Sequence, residues 1–317
     1  MGPGGQPIIE SEIDAAATTG TGTTPLLVHA ALFVVTLLFG ANYVVAKVAL
    51  REVSPSGLVV IRTWGTAILL FGASHMWRKQ AARSKLSRAD FRELFFYGLL
   101  GVAINQTFFL EGLARSTATN ASLMQVLIPV LTLAVAVLLR RERASLMGVI
   151  GIGVGLTGAL LLILPRAGVD VSARATTGNL LLFVSGTSYS TYLVITRPIL
   201  ARHDPLRVVS WTFLLAALVV TPVGANAVRD LFVSGASALG WASILFVVVG
   251  ATALPYLLNS WALVRVKSSI VAVYILLQPV IAGALGRIFL GDQLAPHTAI
   301  AALLVVAGVI LSGWRRA

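Results

Sequence analysis

Ten runs of mostly apolar residues follow one another along this chain, at about 26–48, 56–77, 93–113, 118–139, 145–164, 177–199, 206–225, 238–260, 266–290 and 294–314. A helix of about 20 such residues crosses roughly 30 Å of hydrocarbon. Lipid supplies no hydrogen bonds, so a spanning backbone has to satisfy itself internally. The connections are too short to hold a soluble domain. Charged residues make up 11% of the chain and gather between the runs, against roughly 25% in ordinary soluble domains. The pattern predicts an all-α polytopic membrane protein with ten transmembrane helices, and it excludes a soluble enzyme.

Cysteine is absent, which removes disulfides and thiolate metal sites. His29, His75, His203 and His297 lie near run ends without metal-ligand spacing. No G-x-x-x-x-G-K loop is present to hold ATP. We therefore expect no cofactor, no metal and no enzyme activity. A net charge of +12 would suit nucleic acid, but the basic residues flank apolar runs, where they orient helices in lipid. The expected partner is the bilayer, with no nucleic acid. Taking the connections alternately, sixteen Lys and Arg fall on the side of the 78–92 loop and six on the other. The positive-inside rule then places both termini in the cytoplasm, in a multi-pass protein of the cytoplasmic (inner) membrane. Residues 1–25 hold Glu10, Glu12 and Asp14 but no Lys or Arg. They lack the basic start of a cleavable signal and read as a disordered cytoplasmic tail.

The runs repeat. "LIPVLTLAVAVLLRRE" at 127–142 returns as "LQPVIAGALGRIFLGD" at 277–292, so that Pro129 matches Pro279 and Glu142 matches Asp292 at an offset of 150. The same offset pairs Arg115 with Arg265, Gly158 with Gly308, and "SPSG" (54–57) with "DPLR" (204–207). In the last pair Ser54 and Asp204 can each cap a helix that opens with proline. Only the first helices need a shift of four, which aligns "GANY" (40–43) with "GTSY" (186–189). The repeats are expected at 26–165 and 177–314, five spans each. An odd number of spans makes the second copy enter from the opposite face, and such inverted repeats are an architecture of transporters with two near-mirror conformations. A channel or lipid scramblase shares that logic; an intramembrane enzyme would need clustered reactive groups, which are not seen.

Polar residues inside the runs are the candidates for function. Proline weakens a helix about a turn before itself, so Pro129 and Pro279 are hinge or binding-site candidates, with Gln125 and Gln278 close by. Lys47, Arg62 and Glu111 fall at comparable depth, Arg62 about 9 Å inside its helix at 1.5 Å per residue. They could form an outer gate, or a structural ion pair of Glu111 with Arg62 or Lys47. In the second copy Trp261 stands at the place of Glu111 and Thr212 at that of Arg62, which predicts a more aromatic inner gate. Tyr189, Tyr192, Trp211, Tyr256, Trp261 and Tyr274 cluster in the second half; those at span ends fit an interface belt, and those nearer mid-span suit an amphipathic or aromatic solute. Asn42, Tyr43, Asn105, Gln106, Asn120, Gln125, Asn259 and Gln278 either line a cavity or bond helices together. Glu142, beside Arg140, Arg141 and Arg143, reads as an interfacial anchor or salt-bridge lock. Gly151 and Gly155 make a face of small residues that serves packing within the chain or a homodimer.

Taken together, "FGANYVVAKVAL", "IRTW", "GLARSTATNASLMQVLIPVLTLAVAVLLRRE" and the proline-to-Asp292 segment resemble the EamA-type transporters of the drug/metabolite transporter superfamily. The resemblance covers nearly the whole chain from about residue 28. It implies two inverted five-helix repeats, with spans 1, 3, 4, 6, 8 and 9 around a central cavity and spans 5 and 10 outside it. It also implies export of a small-molecule substrate, with hydrophobic or aromatic amino acids and similar amphipathic compounds as the leading class. Asp292 replaces the more usual glutamate and keeps its charge.

Overall fold

The computed structural model describes residues 25–76, 86–116, 121, 124–163, 172–285 and 297–313, and every element among them is helical. The first half contains α1 (Pro25–Ala49) and α2 (Pro55–Met76). Next, α3 (Arg88–Gly98) continues through a π-helical turn (Leu99–Ile104) into α4 (Asn105–Arg115). The half ends with α5 (Ile128–Leu138) and α6 (Leu146–Ile163). The second half contains α7 (Ala173–Ile195), the short α8 (Arg197–Arg202) and α9 (Pro205–Ser234). Here α10 (Ala238–Val248) continues through a second π turn (Val249–Ala253) into α11 (Leu254–Leu263). Then α12 (Ser268–Val273), a 3-10 turn (Tyr274–Leu277) and α13 (Gln278–Leu285) form one interrupted run, and α14 (His297–Gly313) follows.

The helices begin where local chemistry starts them. Ser54 Oγ accepts from Gly57 N at 3.4 Å, Asp204 Oδ1 accepts from Arg207 N at 3.2 Å, and Pro55 and Pro205 open the helices that follow. Ser87 and Asp90 form a reciprocal capping box at the start of α3, satisfying two backbone donors that would otherwise lack partners. Among the described residues, five helices are long and apolar enough to cross a membrane: Leu26–Ala49, Pro55–His75, Arg88–Arg115, Pro205–Ser234 and Ala238–Leu263. Ile128–Leu138, Leu146–Leu161, Ser268–Ile281 and Ile300–Ser312 are shorter apolar helices. The expected run 206–225 proves to be part of a 30-residue helix that carries Pro222 inside it.

Helix α7 is more polar, reading Ser185-Gly-Thr-Ser-Tyr-Ser-Thr-Tyr192 along its middle. Its serines are used inside the protein. Asn105 Nδ2 donates to Ser185 O and Oγ at 3.1 and 3.0 Å. Ser188 Oγ donates to Leu100 O at 2.7 Å, and Ser190 Oγ to Ile128 O at 3.3 Å.

Contacts between the halves come in exchanged pairs. The contact of α4 with α7 is mirrored by that of α11 with α1, and α5 with α7 by α13 with α1. Likewise α3 packs on α9 as α10 packs on α2, while α2 meets α9 and α6 meets α14 as equivalents. The last contact is the most extensive, and it needs glycine. A Cβ on Gly158 would lie 2.7 Å from Ala301 O, one on Gly151 would lie 2.8 Å from Gly308 O, and one on Gly308 would strike the Gly155 backbone. The small-residue face at Gly151 and Gly155 is therefore spent on packing within the chain.

Candidate functional site

The two π turns occupy equivalent places, Leu99–Ile104 and Val249–Ala253, and each is held by the opposite half. A π turn widens the helix by one residue and disturbs its carbonyl ladder, which is why such turns collect at functional sites. Around the first turn, Leu100 O accepts from Ser188 Oγ, and Gly101 O accepts from Tyr256 OH at 2.6 Å, with Asn105 Oδ1 3.1 Å from the same hydroxyl. The Tyr192 ring covers Gly101 so closely that any Cβ there would enter the ring. Around the second turn, Thr252 Oγ1 donates to Val247 O at 2.5 Å, Thr66 Oγ1 donates to Val248 O at 3.3 Å, and Arg62 reaches Thr252.

The prolines act on the helices between. A turn at Val126–Leu127 precedes Pro129, and the 3-10 turn Tyr274–Leu277 precedes Pro279. Proline supplies no N–H to the carbonyl four residues back, and those positions are Gln125 and Ile275. Both broken helices turn their irregular segment inward, where Gln125 and Ile128 from one half face Ile275 and Gln278 from the other.

These features converge on one cavity of about 60 Å³. At about 15 Å³ per water centre, that is room for several waters. Its wall comes from α1 (Phe39, Asn42, Tyr43), α2 (Arg62), α4 (Asn105, Gln106, Phe109) and the run into α5 (Gln125, Ile128). The second half adds Tyr189, Tyr256, Ile275 and Gln278. Aromatic rings form much of it: Tyr189 lies 6.0 Å from Tyr256 and 6.5 Å from Phe39, both edge-on, and Tyr43 lies 6.0 Å from Phe109. Tyr43 OH donates to Gln278 Oε1 across the repeats at 2.7 Å. Among the described residues, several wall groups are buried without a hydrogen-bond partner: Asn42 Oδ1, Gln125 Oε1 and Arg62 Nη1.

Arg62 is the one charged residue of the wall among the described residues. It is 3% exposed, and its Nε and Nη2 both donate to Thr252 Oγ1, at 3.0 and 2.8 Å. Thr252 is neutral, so the guanidinium keeps its full charge inside the protein.

The remaining sequence candidates separate. Asn259 and Tyr274 line a smaller adjoining pocket that shares Phe39, Tyr189 and Ile275 with the main one. There Asn259 Nδ2 donates to Tyr189 OH at 2.8 Å, and Tyr274 OH meets His29 Nδ1 at 2.5 Å. Tyr192 is buried behind the wall, stacked on Tyr189 at 6.1 Å. Trp261, expected at an aromatic inner gate, is not among the residues of the cavity wall; it lies beneath the Arg265 guanidinium, 4.0 Å from its ring centroid. The expected pairing of Glu111 with Arg62 or Lys47 does not form. Glu111 pairs with Arg115 one turn along its own helix, Lys47 Nζ donates to Ser116 O at 2.9 Å, and Arg62 is committed to Thr252. Glu142 is not part of a salt bridge among the described residues. It is 5% exposed and accepts from Ser268 Oγ at 2.5 Å, Ser269 Oγ at 2.6 Å and Ser269 N at 3.4 Å. Asn120 and Asp292 lie outside the described residues.

Sequence reasoning missed Phe39, Phe109, Ile128 and Ile275 as wall residues, and Thr252 and Ser188 as its supports. The serine and threonine content of the second half, read at helical spacing, was the available signal for the supports.

Comparison with known proteins fits this architecture. The EamA-like transporter family model matches twice, at residues 26–164 and 176–314. A WAT1-related protein of Arabidopsis thaliana is 27% identical over 311 residues, covering 90% of this chain and 80% of that protein. An uncharacterized transporter of Archaeoglobus fulgidus is 25% identical over 292 residues, covering 90% and 96%. An uncharacterized inner membrane transporter, YicL, of Salmonella typhimurium is 23% identical over 284 residues, covering 88% and 93%. A solved crystal structure shares the fold with a TM-score of 0.71 at 19% identity, over 92% of this chain and 98% of that one. With both repeats matched and the cavity set between them, the chain belongs to the EamA-like transporter family and is a membrane transporter.

Proposed function

We propose that this transporter is a secondary carrier of the cytoplasmic membrane, exporting small amphipathic organic metabolites by alternating access. The observation that carries the reading is the cavity itself. Equivalent elements of both repeats contribute to it: Tyr43 and Tyr189, the two turn-and-proline segments, and residues beside both π turns. A wall made of matching parts from inverted repeats is what two near-mirror conformations around one site require. The π turns and proline breaks supply irregular backbone where it borders a wet cavity, which is the place a membrane protein tolerates it. The rings suit an apolar body and the amides a polar end, so hydrophobic and aromatic amino acids and similar compounds fall within the class.

Counterflow in proteoliposomes without an ion gradient tests this reading. Preloading with an unlabelled solute should drive transient uptake of the same labelled solute above equilibrium, and the rate should saturate. Non-saturating flux without counterflow would make the protein a channel instead.

A further inference from the structure

We propose that the cavity takes its solute as a monoanion, an aromatic or apolar body bearing one carboxylate, with the Arg62 guanidinium as its counter-charge. This rests on the carrier reading and narrows it to a substrate class.

Among the described residues the cavity wall carries one full charge, and it is positive. Arg62 is 3% exposed, and among the described residues its Nη1 has no partner and neither Asp nor Glu lines the wall. The ion pairs among the described residues involve other groups. A charge held inside a membrane protein is costly unless paired and marks a substrate or ion path by default. Thr252 accepts from two of the guanidinium nitrogens but cannot neutralise them. The third points to what completes the site. A carboxylate is the best complement, because its oxygens accept charge-assisted bonds from a guanidinium fork. Gln106 Nε2, 1% exposed as a residue, is a second donor on the same wall.

Net charge separates the neighbouring classes. A monoanion leaves the loaded cavity neutral. A zwitterion leaves it with the charge of Arg62, and its ammonium would have only the neutral amide oxygens of Asn42, Gln106 and Gln125 to meet. An organic cation would place two positive charges in one apolar chamber. The rings of Tyr189, Tyr256 and Phe109 supply faces and edges for an aromatic body.

Four probes sharing a phenyl ring separate these cases: phenylacetate, phenylmethanesulfonate, phenylalanine and phenethylamine. The sulfonate stays charged and cannot cross lipid as a neutral acid. Binding is measured by calorimetry on the purified full chain, and exchange by counterflow in proteoliposomes. The two anions should bind and exchange, and the amine should do neither. Arg62→Gln should weaken anion binding on the order of tenfold to a hundredfold, the scale of a lost charge-assisted hydrogen bond, with Arg62→Lys restoring part of it. If Arg62→Gln does not fold, Gln106→Leu removes the second donor and should weaken binding of both anions on the order of tenfold. Tighter binding of phenylalanine or phenethylamine than of the anions overturns the assignment, and so does anion binding that ignores both substitutions. Counterflow of a non-anionic probe in that case would leave the carrier reading standing. A chain that binds the anions but exchanges no solute would overturn the carrier reading and keep the site.

Discussion

Arg62 depends on a single hydroxyl, that of Thr252, which receives two of its nitrogens and passes its own proton to Val247 O. Thr252→Val would keep the shape and remove all three bonds, leaving a buried cation with no partner among the described residues. Hydrogen bonds to charged groups contribute about 1.5–3 kcal/mol, so chemical denaturation of the reconstituted protein should show a loss of that size. Thr252→Ser should lie within about 1 kcal/mol of the parent, since the hydroxyl is kept; equal losses for the two would mean that Thr252 matters through packing alone. At this scale the sequence was half legible. Arg62, Asn42, Gln106 and Gln125 stood out because polar groups are rare within apolar runs. Their partners did not. Depth along each helix put Glu111 level with Arg62, but depth says nothing of which face a side chain occupies. Glu111 met Arg115, four residues on and on its own face. Thr252 is an ordinary residue in sequence, and the neighbouring π turn with Thr252 Oγ1 bonded to Val247 O gives it its role.

The elements differ in how plainly they were written. Apolar length and basic flanks marked the spans, and Ser54 and Asp204 marked two helix starts, because those signals are local. Proline made the breaks before Pro129 and Pro279 readable as well. The π turns were not readable: one extra residue inside a helix leaves the apolar run continuous, and "LLGVAI" and "VGATA" share little beyond their place in the repeat. Glycine spacing on α6 was readable, though its partner was not, since a small-residue face fits a neighbour in the same chain or in another copy. The structure joins it to α14. Gly308→Ala would drive a methyl group into the Gly155 backbone, whereas Gly153 has open space around its added Cβ. Overpacking of this kind costs about 1–3 kcal/mol. Gly308→Ala should lower the thermal midpoint in detergent while Gly153→Ala leaves it near the parent value. Similar midpoints for the two variants would show that the α6–α14 contact yields easily.

Across the whole molecule, the exchanged contacts between halves give each structural device a counterpart, and the cavity lies where those counterparts meet. The equivalence is one of framework. Arg62 corresponds to Thr212, Gln106 to Tyr256, and Gln125 to Ile275, so the polar groups are distributed unequally around a matched scaffold. The repeat was legible because an offset of 150 needs only counting, while the asymmetric chemistry had to wait for the side chains to be placed. Glu142 adds one closed contact, joining the end of α5 to the start of α12 through Ser268 and Ser269. In the proposed carrier, one shared cavity opens to each face of the membrane in turn. Because the chain has no cysteine, Gln125→Cys would place a single thiol on the cavity wall, and its reaction with a membrane-impermeant maleimide can be timed from either face of oriented vesicles. Labelling is expected from both faces, slowed on both by any solute that shows counterflow. Labelling from one face only, with the solute present or absent, would contradict alternating access.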